Sequence, residues 1–259
     1  RCRTAASSRR VGSRRGIGRA IALTLASEGY DIVINDYELD ANADETAAAV
    51  RAFGRQVQLV QADLGNTASI KSLVQQVVDH FGHIDVLVNN AATWEWDDFV
   101  DVPERDWDKM INVDLKGPFI CAQETARQMI KQGSGGAIVN ISSVHRIRVW
   151  PKDTVYGICK AGIVRLTESM AYELGQYGIR VNAIAPCYID SRVPNPNEPP
   201  IGQPDYAATV APKTPLRRIG LPQDIANAVA FFVSERASFV TGQTLTVDGG
   251  ILLGGTPEG

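Results

Sequence analysis

Cysteine, histidine and methionine are scarce: the 259 residues hold four, three and three of them. Cys2, Cys121, Cys159 and Cys187 show no C-x-x-C spacing. That argues against a redox dithiol or a zinc knuckle and for reduced packing cysteines in a cytoplasmic protein. His80, His83 and His145 make no zinc pattern, so no metal is expected. Long apolar runs are also missing. Nothing approaches the roughly 20 residues of a membrane span, and the first residues lack the apolar core of a secretory signal. No membrane partner is expected. What remains, 44% apolar and 21% charged residues, fits a soluble globular protein and excludes wholesale disorder.

Acidic residues are absent from the first 19 positions, which carry seven arginines: Arg1, Arg3, Arg9, Arg10, Arg14, Arg15 and Arg19. With a net charge of −3, the rest of the chain carries −3 − 7 = −10. A basic arm on an acidic body could suit nucleic acid. The motifs below give Arg14, Arg15 and Arg19 to a glycine-rich turn and its helix, so no nucleic-acid partner is expected.

Apolar runs of strand length alternate with segments of helical period. Strands are expected at Asp31–Asn35, Gln56–Gln61, Ile84–Asn89, Ala137–Ser142, Ile179–Ala185 and Thr244–Val247. Helices are expected at Ala41–Phe53, Thr67–Phe81, Pro103–Lys131 with a break near Gly117-Pro118, Thr154–Tyr177 and Pro222–Ser234. Strict alternation with short joints implies an α/β fold. The expected architecture is a single Rossmann-type, doubly wound parallel sheet of about seven strands, with helices on both faces, in one domain over residues 1–259. Eight of the thirteen prolines fall between Pro186 and Pro215, so residues 187–216 read as an irregular loop where a substrate lid would sit.

The first strand is atypical. A central parallel strand should be continuously apolar, yet Thr4-Ala-Ala-Ser-Ser-Arg-Arg-Val11 precedes Gly12. Burying Arg9 and Arg10 unpaired would cost several kcal/mol each. A frameshift, a wrong exon or a truncated gene model would account for residues 1–11; sequencing the transcript distinguishes these from a native start.

Three motifs carry chemistry. Gly12-Ser-Arg-Arg15-Gly16-Ile17-Gly18 opens a helix, and such a turn lets backbone N–H groups approach a pyrophosphate at the helix N-terminus. Asp36 ends the second strand some twenty residues on, where a carboxylate accepts ribose hydroxyls and repels a 2′-phosphate. At an effective dielectric of 20 and 4 Å that repulsion is worth ~4 kcal/mol. An exposed Arg14 or Arg15 would return only ~1 kcal/mol, so NAD is expected over NADP. Tyr156-Gly-Ile-Cys-Lys160 puts a phenol and an ammonium on one helix face. A lysine cation favours the phenolate of a tyrosine whose ordinary pKa is ~10. Ser142-Ser143, at the end of a strand thirteen residues before Tyr156, supplies a hydroxyl beside that phenol.

From about Gly12 to Gly250 the chain resembles the short-chain dehydrogenase/reductase family. The matching residues are Gly12, Gly16, Gly18, Asp63, Asn89-Asn90-Ala91-Ala92, Asn112, Ser143, Tyr156, Lys160, Pro186 and Val247-Asp248-Gly249-Gly250. The resemblance implies an NAD(P)-dependent oxidoreductase acting on a secondary alcohol or ketone. Tyr156 would be the general acid/base, Ser143 would orient the substrate oxygen, and Lys160 would bind the nicotinamide ribose and lower the tyrosine pKa. Asn112 would hold the water of a proton relay. Asp63, with Leu64 beside it, would contact the adenine. Asn90 and Ala91 would line the cofactor cleft, and Pro186, Ile189 and Ser191 would meet the nicotinamide amide. Ala92 and Cys187 depart from the glycines usual at those places. Trp94, Trp96, His145, Arg146, Arg148 and Trp150 fall in segments that face the family's substrate cleft, with Trp94, His145, Trp150 and Ser143 as the expected substrate contacts. Rings with His and Arg suit a sugar or polyol, and Ser143–Pro151 looks like the matching stretch of the family's sugar dehydrogenases. A 3-oxoacyl-carrier-protein reductase is the enzymatic alternative, and a non-catalytic dinucleotide-binding protein the alternative of another class. The family's habit implies a homodimer or homotetramer assembled through the helices at Pro103–Lys131 and Thr154–Tyr177.

Overall fold

Each apolar run becomes a parallel strand, and each amphipathic segment becomes the crossover to the next. The computed structural model describes residues 2–6, 15–191 and 206–254; for residues 2–6, 206 and 207 the backbone alone is described. In chain order the elements are β1 (Cys2–Ala6), α1 (Gly16–Ser27), β2 (Asp31–Asp36), α2 (Ala41–Ala52), β3 (Val57–Gln61), α3 (Thr67–Phe81) and β4 (Val86–Asn89). Then come α4 (Glu104–Ile111), α5 (Gly117–Gln132), β5 (Gly136–Ile141), α6 (Thr154–Leu174), β6 (Ile179–Pro186), α7 (Tyr206–Val210), α8 (Pro222–Val233) and β7 (Thr244–Val247). The strands form one sheet in the order β3-β2-β1-β4-β5-β6-β7, with every pairing parallel.

Strand side chains alternate between two cores, as the pleat requires. Ile32, Ile34, Val86, Val88, Val139 and Ile141 pack on one face with Ile21 and Leu25 of α1 and Ile225 and Val229 of α8. Val33, Leu87, Ile138 and Val181 pack on the other with Ile70 and Leu73 of α3 and Cys121 and Met129 of α5. Cys121 and Cys159 are free and buried, and Cys187 is free and half-buried. No helix among the described residues is long and apolar enough to cross a membrane, and none of their side chains cluster as a metal site.

The first strand corrects one expectation. It is Cys2–Ala6, not the run up to Val11, and it takes the central place, pairing Thr4 with Val33 on one side and with Leu87 on the other. Parallel ladders are made by backbone groups, so a sequence poor in large apolar residues can still fill the slot between two apolar neighbours. Nine residues, Ser7–Arg15, then separate β1 from α1. Arg9 and Arg10 lie outside the described residues. Gly12 itself, and residues 192–205 of the expected lid, lie outside the described residues.

The break near Gly117-Pro118 takes the form of a π turn that ends just before them. Residues Asn112–Lys116 form a π-helical turn between α4 and α5. Pro118 then sits in the first turn of α5, where its missing N–H costs nothing. Gly117 has to be glycine, because a Cβ there would lie 2.6 Å from the carbonyl oxygen of Leu64.

Candidate active site

The carboxyl edge of the sheet collects the singled-out residues. Asp36 ends β2, Asp63 and Leu64 follow β3, Asn90 and Ala91 follow β4, Ser142 and Ser143 follow β5, and Pro186, Ile189 and Ser191 lie at or beyond the end of β6. Open parallel sheets bind ligands at this edge. Arg15 is the extended N-cap of α1, followed by Gly16, Ile17 and the buried Gly18. Gly16 has φ +56° and its Cβ would come 3.3 Å from Cβ of Ser191, so the helix start and the segment after β6 approach closely. Asp36 is fully buried and accepts the Tyr37 N–H at 2.8 Å. Asp63 Oδ1 accepts the Gly65 N–H at 2.9 Å. A cavity of about 220 Å³ opens between these ends, lined by Tyr37, Asp63, Gly65, Thr93, Lys109, Asn112 and Val113.

Hydrogen bonds of buried amides lock α6 onto the sheet. Asn89 Nδ2 donates to Asn140 Oδ1 at 2.9 Å, and Asn140 Nδ2 donates to Thr167 Oγ1 at 2.8 Å. Ser142 Oγ donates to the Lys160 carbonyl at 2.7 Å. The tie fixes where Tyr156 and Lys160 stand relative to β5.

Tyr156, Ser143 and Lys160 converge there. The Ser143 hydroxyl is close enough to the Tyr156 phenol to lower its pKa. Lys160 Nζ lies 5.2 Å from the centre of the Tyr156 ring and donates to the Ile141 carbonyl at 3.4 Å. Burial pushes the Tyr156 phenol above its ordinary pKa; the Lys160 charge and the nearby Ser143 hydroxyl pull downward, and Asp114 adds to the rise. The chain's own groups therefore leave the phenol raised, not lowered as Lys160 alone would suggest, because desolvation outweighs one cation. Burial also opposes the Lys160 charge, but Tyr156 and Asp114 together carry its pKa above the usual lysine value.

Two acids that the sequence reading passed over shape the site. Asp114, fully buried on the π turn, accepts the Thr93 N–H at 2.7 Å and faces Lys160 Nζ at 3.7 Å, a charge contact longer than a hydrogen bond. Burial lifts its carboxyl to about 6, against the pull of Lys160 and the Thr93 N–H. Asp153, buried at the start of α6, meets His145 Nδ1 at 2.7 Å. Asp114 lies within an expected helix and Asp153 just before one, so only their neighbours across the fold reveal them. Asn112 has a different setting from Asp114. It lines the cavity, and its Oδ1 accepts from Lys116 Nζ at 3.4 Å.

Among the expected substrate contacts, His145 stacks on Trp150 at 4.3 Å and meets Tyr156 edge-on at 5.1 Å. The tryptophan that tilts toward His145 is Trp96, at 6.4 Å; Trp94 is half-buried two residues earlier.

These residues fit a bound dinucleotide. Both polar atoms of the Asn90 amide are buried without a hydrogen-bond partner among the described residues. Native proteins rarely leave such groups orphaned, and a cleft ligand would satisfy them.

A family model described as enoyl-(acyl carrier protein) reductase matches residues 11–252. An uncharacterised oxidoreductase, YohF of Escherichia coli (strain K12), is 40% identical over 238 residues, 92% of each chain. The 3-oxoacyl-[acyl-carrier-protein] reductase FabG of Staphylococcus epidermidis is 38% identical over 243 residues, covering 94% of this chain and 97% of that one. Among solved structures, the acetoin dehydrogenase YohF from Salmonella typhimurium superposes with a TM-score of 0.88 at 37% identity, over 98% of this chain and 97% of that one.

Proposed function

The chain belongs to the short-chain dehydrogenase/reductase family and is an NAD(P)-dependent oxidoreductase acting on CH–OH groups; we propose that Tyr156, Ser143, Lys160 and Asn112 carry its reaction. The nicotinamide, when bound, exchanges a hydride with the substrate carbon. Tyr156 moves the proton at the substrate oxygen: as a phenol it donates to a ketone, and as a phenolate it takes the proton of an alcohol. Ser143, beside the same hydroxyl, orients that oxygen. Lys160 supplies the cation beside the ring and holds the nicotinamide ribose. Asn112, which lines the cavity, takes the far end of the proton relay in this reading, as the family likeness implies. The observation that carries this reading is the convergence of the phenol, the hydroxyl and the ammonium at the carboxyl edge of the sheet. In the test, Tyr156→Phe abolishes turnover while dinucleotide binding persists. Near-normal turnover in that variant removes Tyr156 from the mechanism.

Arg15, Gly16, Ile17, Gly18, Asp36, Asp63, Leu64, Asn90, Ala91, Pro186, Ile189 and Ser191 form the cofactor cleft in this reading, with Gly12 in the turn before α1. The cofactor is NAD, because the Asp36 carboxylate at the end of β2 repels a 2′-phosphate. The substrate is a small secondary alcohol or ketone of the sugar or polyol kind, received by Ser143, His145, Trp150 and the Trp94–Trp96 segment. The relation to FabG supports a second reading, reduction of a 3-oxoacyl thioester on a carrier protein. A panel of sugars, polyols, hydroxy ketones and an oxoacyl-carrier thioester, assayed with NADH and NADPH, separates the two. The active form is a homodimer or homotetramer. The exposed apolar side chains Phe119 and Ile130 on α5 and Ile158 and Tyr172 on α6 support that assembly, and light scattering after gel filtration tests it.

A further inference from the structure

A π turn bonds residue i to i+5 and so changes which side chains face inward. On the turn Asn112–Lys116, Asp114 is fully buried while Lys116 is exposed. α6 packs closely against this turn. A Cβ on Gly162 would lie 2.9 Å from Cδ1 of Leu115, and Cys159 Sγ lies 3.7 Å from the Met110 carbonyl oxygen. The approach brings Lys160, itself buried, to the carboxylate.

The two oxygens of Asp114 have separate partners. Oδ1 accepts the Thr93 N–H at 2.7 Å and so ties the turn to the segment after β4, where Asn90 and Ala91 lie. Oδ2 makes no hydrogen bond among the described residues and faces Lys160 Nζ at 3.7 Å. The same Nζ stands 5.2 Å from the centre of the Tyr156 ring. One buried ammonium thus lies beside both a carboxylate and the phenol. The other groups around them that could carry charge have their own settings. Cys159, on α6, is kept a thiol by burial, which pushes it to about 12. Lys109, on α4, is paired with Glu95. His145, beside Tyr156, is paired with Asp153, and burial lowers its pKa. Asp63, after β3, lines the cavity on the side of Asn112 and Val113.

We propose that Asp114 is a positioning residue that acts on the reaction through Lys160: its carboxylate takes up part of the ammonium charge that would otherwise serve the phenolate, so Tyr156 keeps its proton and the site stands ready for ketone reduction near neutrality. The inference rests on the oxidoreductase reading above. The Asp114 carboxyl, at about 6, is ionised where the phenol titrates. The Tyr156–Lys160 pair therefore sheds its first proton against a negative charge already present. The two distances put that charge within about 9 Å of the ring centre, where an effective dielectric of about 20 gives a shift of about one pH unit.

The test follows the phenolate absorbance of the full chain through the alkaline range, as the difference between each protein and its Tyr156→Phe counterpart. Asp114→Asn removes the charge and keeps an acceptor for the Thr93 N–H. Its phenolate midpoint should fall by about one pH unit. The alkaline fall in kcat/KM for acetoin reduction with NADH should move down by the same interval. A merely structural role lowers kcat at every pH and moves neither midpoint. In the wild type, carbon-13 NMR of the Asp114 carboxylate should show a second step as Tyr156 ionises, and Tyr156→Phe should lose it; this readout does not depend on whether Asp114→Asn folds. A midpoint that stays or rises in Asp114→Asn, or a wild type without the second step, overturns the inference and leaves the oxidoreductase reading in place. Near-normal acetoin turnover in Tyr156→Phe overturns both.

Discussion

Replacing Lys160 with methionine should destabilise the protein by an amount that grows with pH. Lys160 is 2% exposed and its Nζ lies 3.7 Å from Asp114 Oδ2. At an effective dielectric of about 20, two charges at that separation attract by roughly 4–5 kcal/mol, the ceiling for what the pair can contribute. Asp114 has a folded-state pKa of about 6, above the ~3.9 of an unfolded aspartate. The folded protein therefore binds this proton more tightly than the unfolded chain. Its stability falls as pH rises from about 4 to about 6, by about 1.4 kcal/mol per pH unit at most. In the wild type the fall ends near that upper value, because Lys160 stabilises the ionised carboxylate. Without Lys160 the carboxyl titrates higher and the fall continues. The deficit of Lys160→Met relative to wild type should thus be smallest near pH 5 and larger by about 2–3 kcal/mol near pH 8. Urea denaturation of wild type, Lys160→Met, Asp114→Asn and the double variant across that range measures it. The widening should vanish in the Asp114→Asn background. A deficit that stays flat with pH, or a widening that survives without Asp114, would refute the pairing.

Three further outcomes follow from the same geometry. Asp36→Ala should shift the ratio of specificity constants from NAD toward NADP, and an unchanged ratio would remove Asp36 from cofactor choice. Gly117→Ala should destabilise by about 1–3 kcal/mol through overpacking against the Leu64 carbonyl, read as a lowered Tm, and should weaken NADH binding by displacing the Asp63–Gly65 turn. A variant as stable as wild type would contradict the 2.6 Å approach. Because burial raises the Tyr156 phenol, alcohol oxidation should speed up as pH rises through the alkaline range and ketone reduction should slow; stopped-time assays in both directions over a pH series check the opposing slopes.

The sheet and most of its crossovers were legible because they rest on local periodicity. Thr67–Phe81 and Thr244–Val247 fall where the pattern of apolar residues puts them. The exceptions have physical causes. β1 is recognised by the strands that flank it and not by its own residues, since backbone pairing between β2 and β4 fills a slot that side-chain hydropathy does not announce. The break before α5 lies near Gly117-Pro118 as expected, but its form, a π turn over Asn112–Lys116, is not announced by glycine and proline. Tyr156, Lys160 and Ser143 could be picked out because their spacing is short and their chemistry complementary. Asp114 and Asp153 could not, because each is defined by a partner from another element.

By itself the sequence determined the fold class, the order of the strands' apolar runs, the family likeness and the phenol–ammonium pair on α6. Those depend on residue type and on spacing along the chain. Only the tertiary structure decided the electrostatics of the site. Burial reversed the expected direction of the Tyr156 pKa and set Asp114 against Lys160. It also set Asp153 against His145. Desolvation and through-space charge depend on which atoms surround a group, and that is fixed when β5, the π turn and α6 come together.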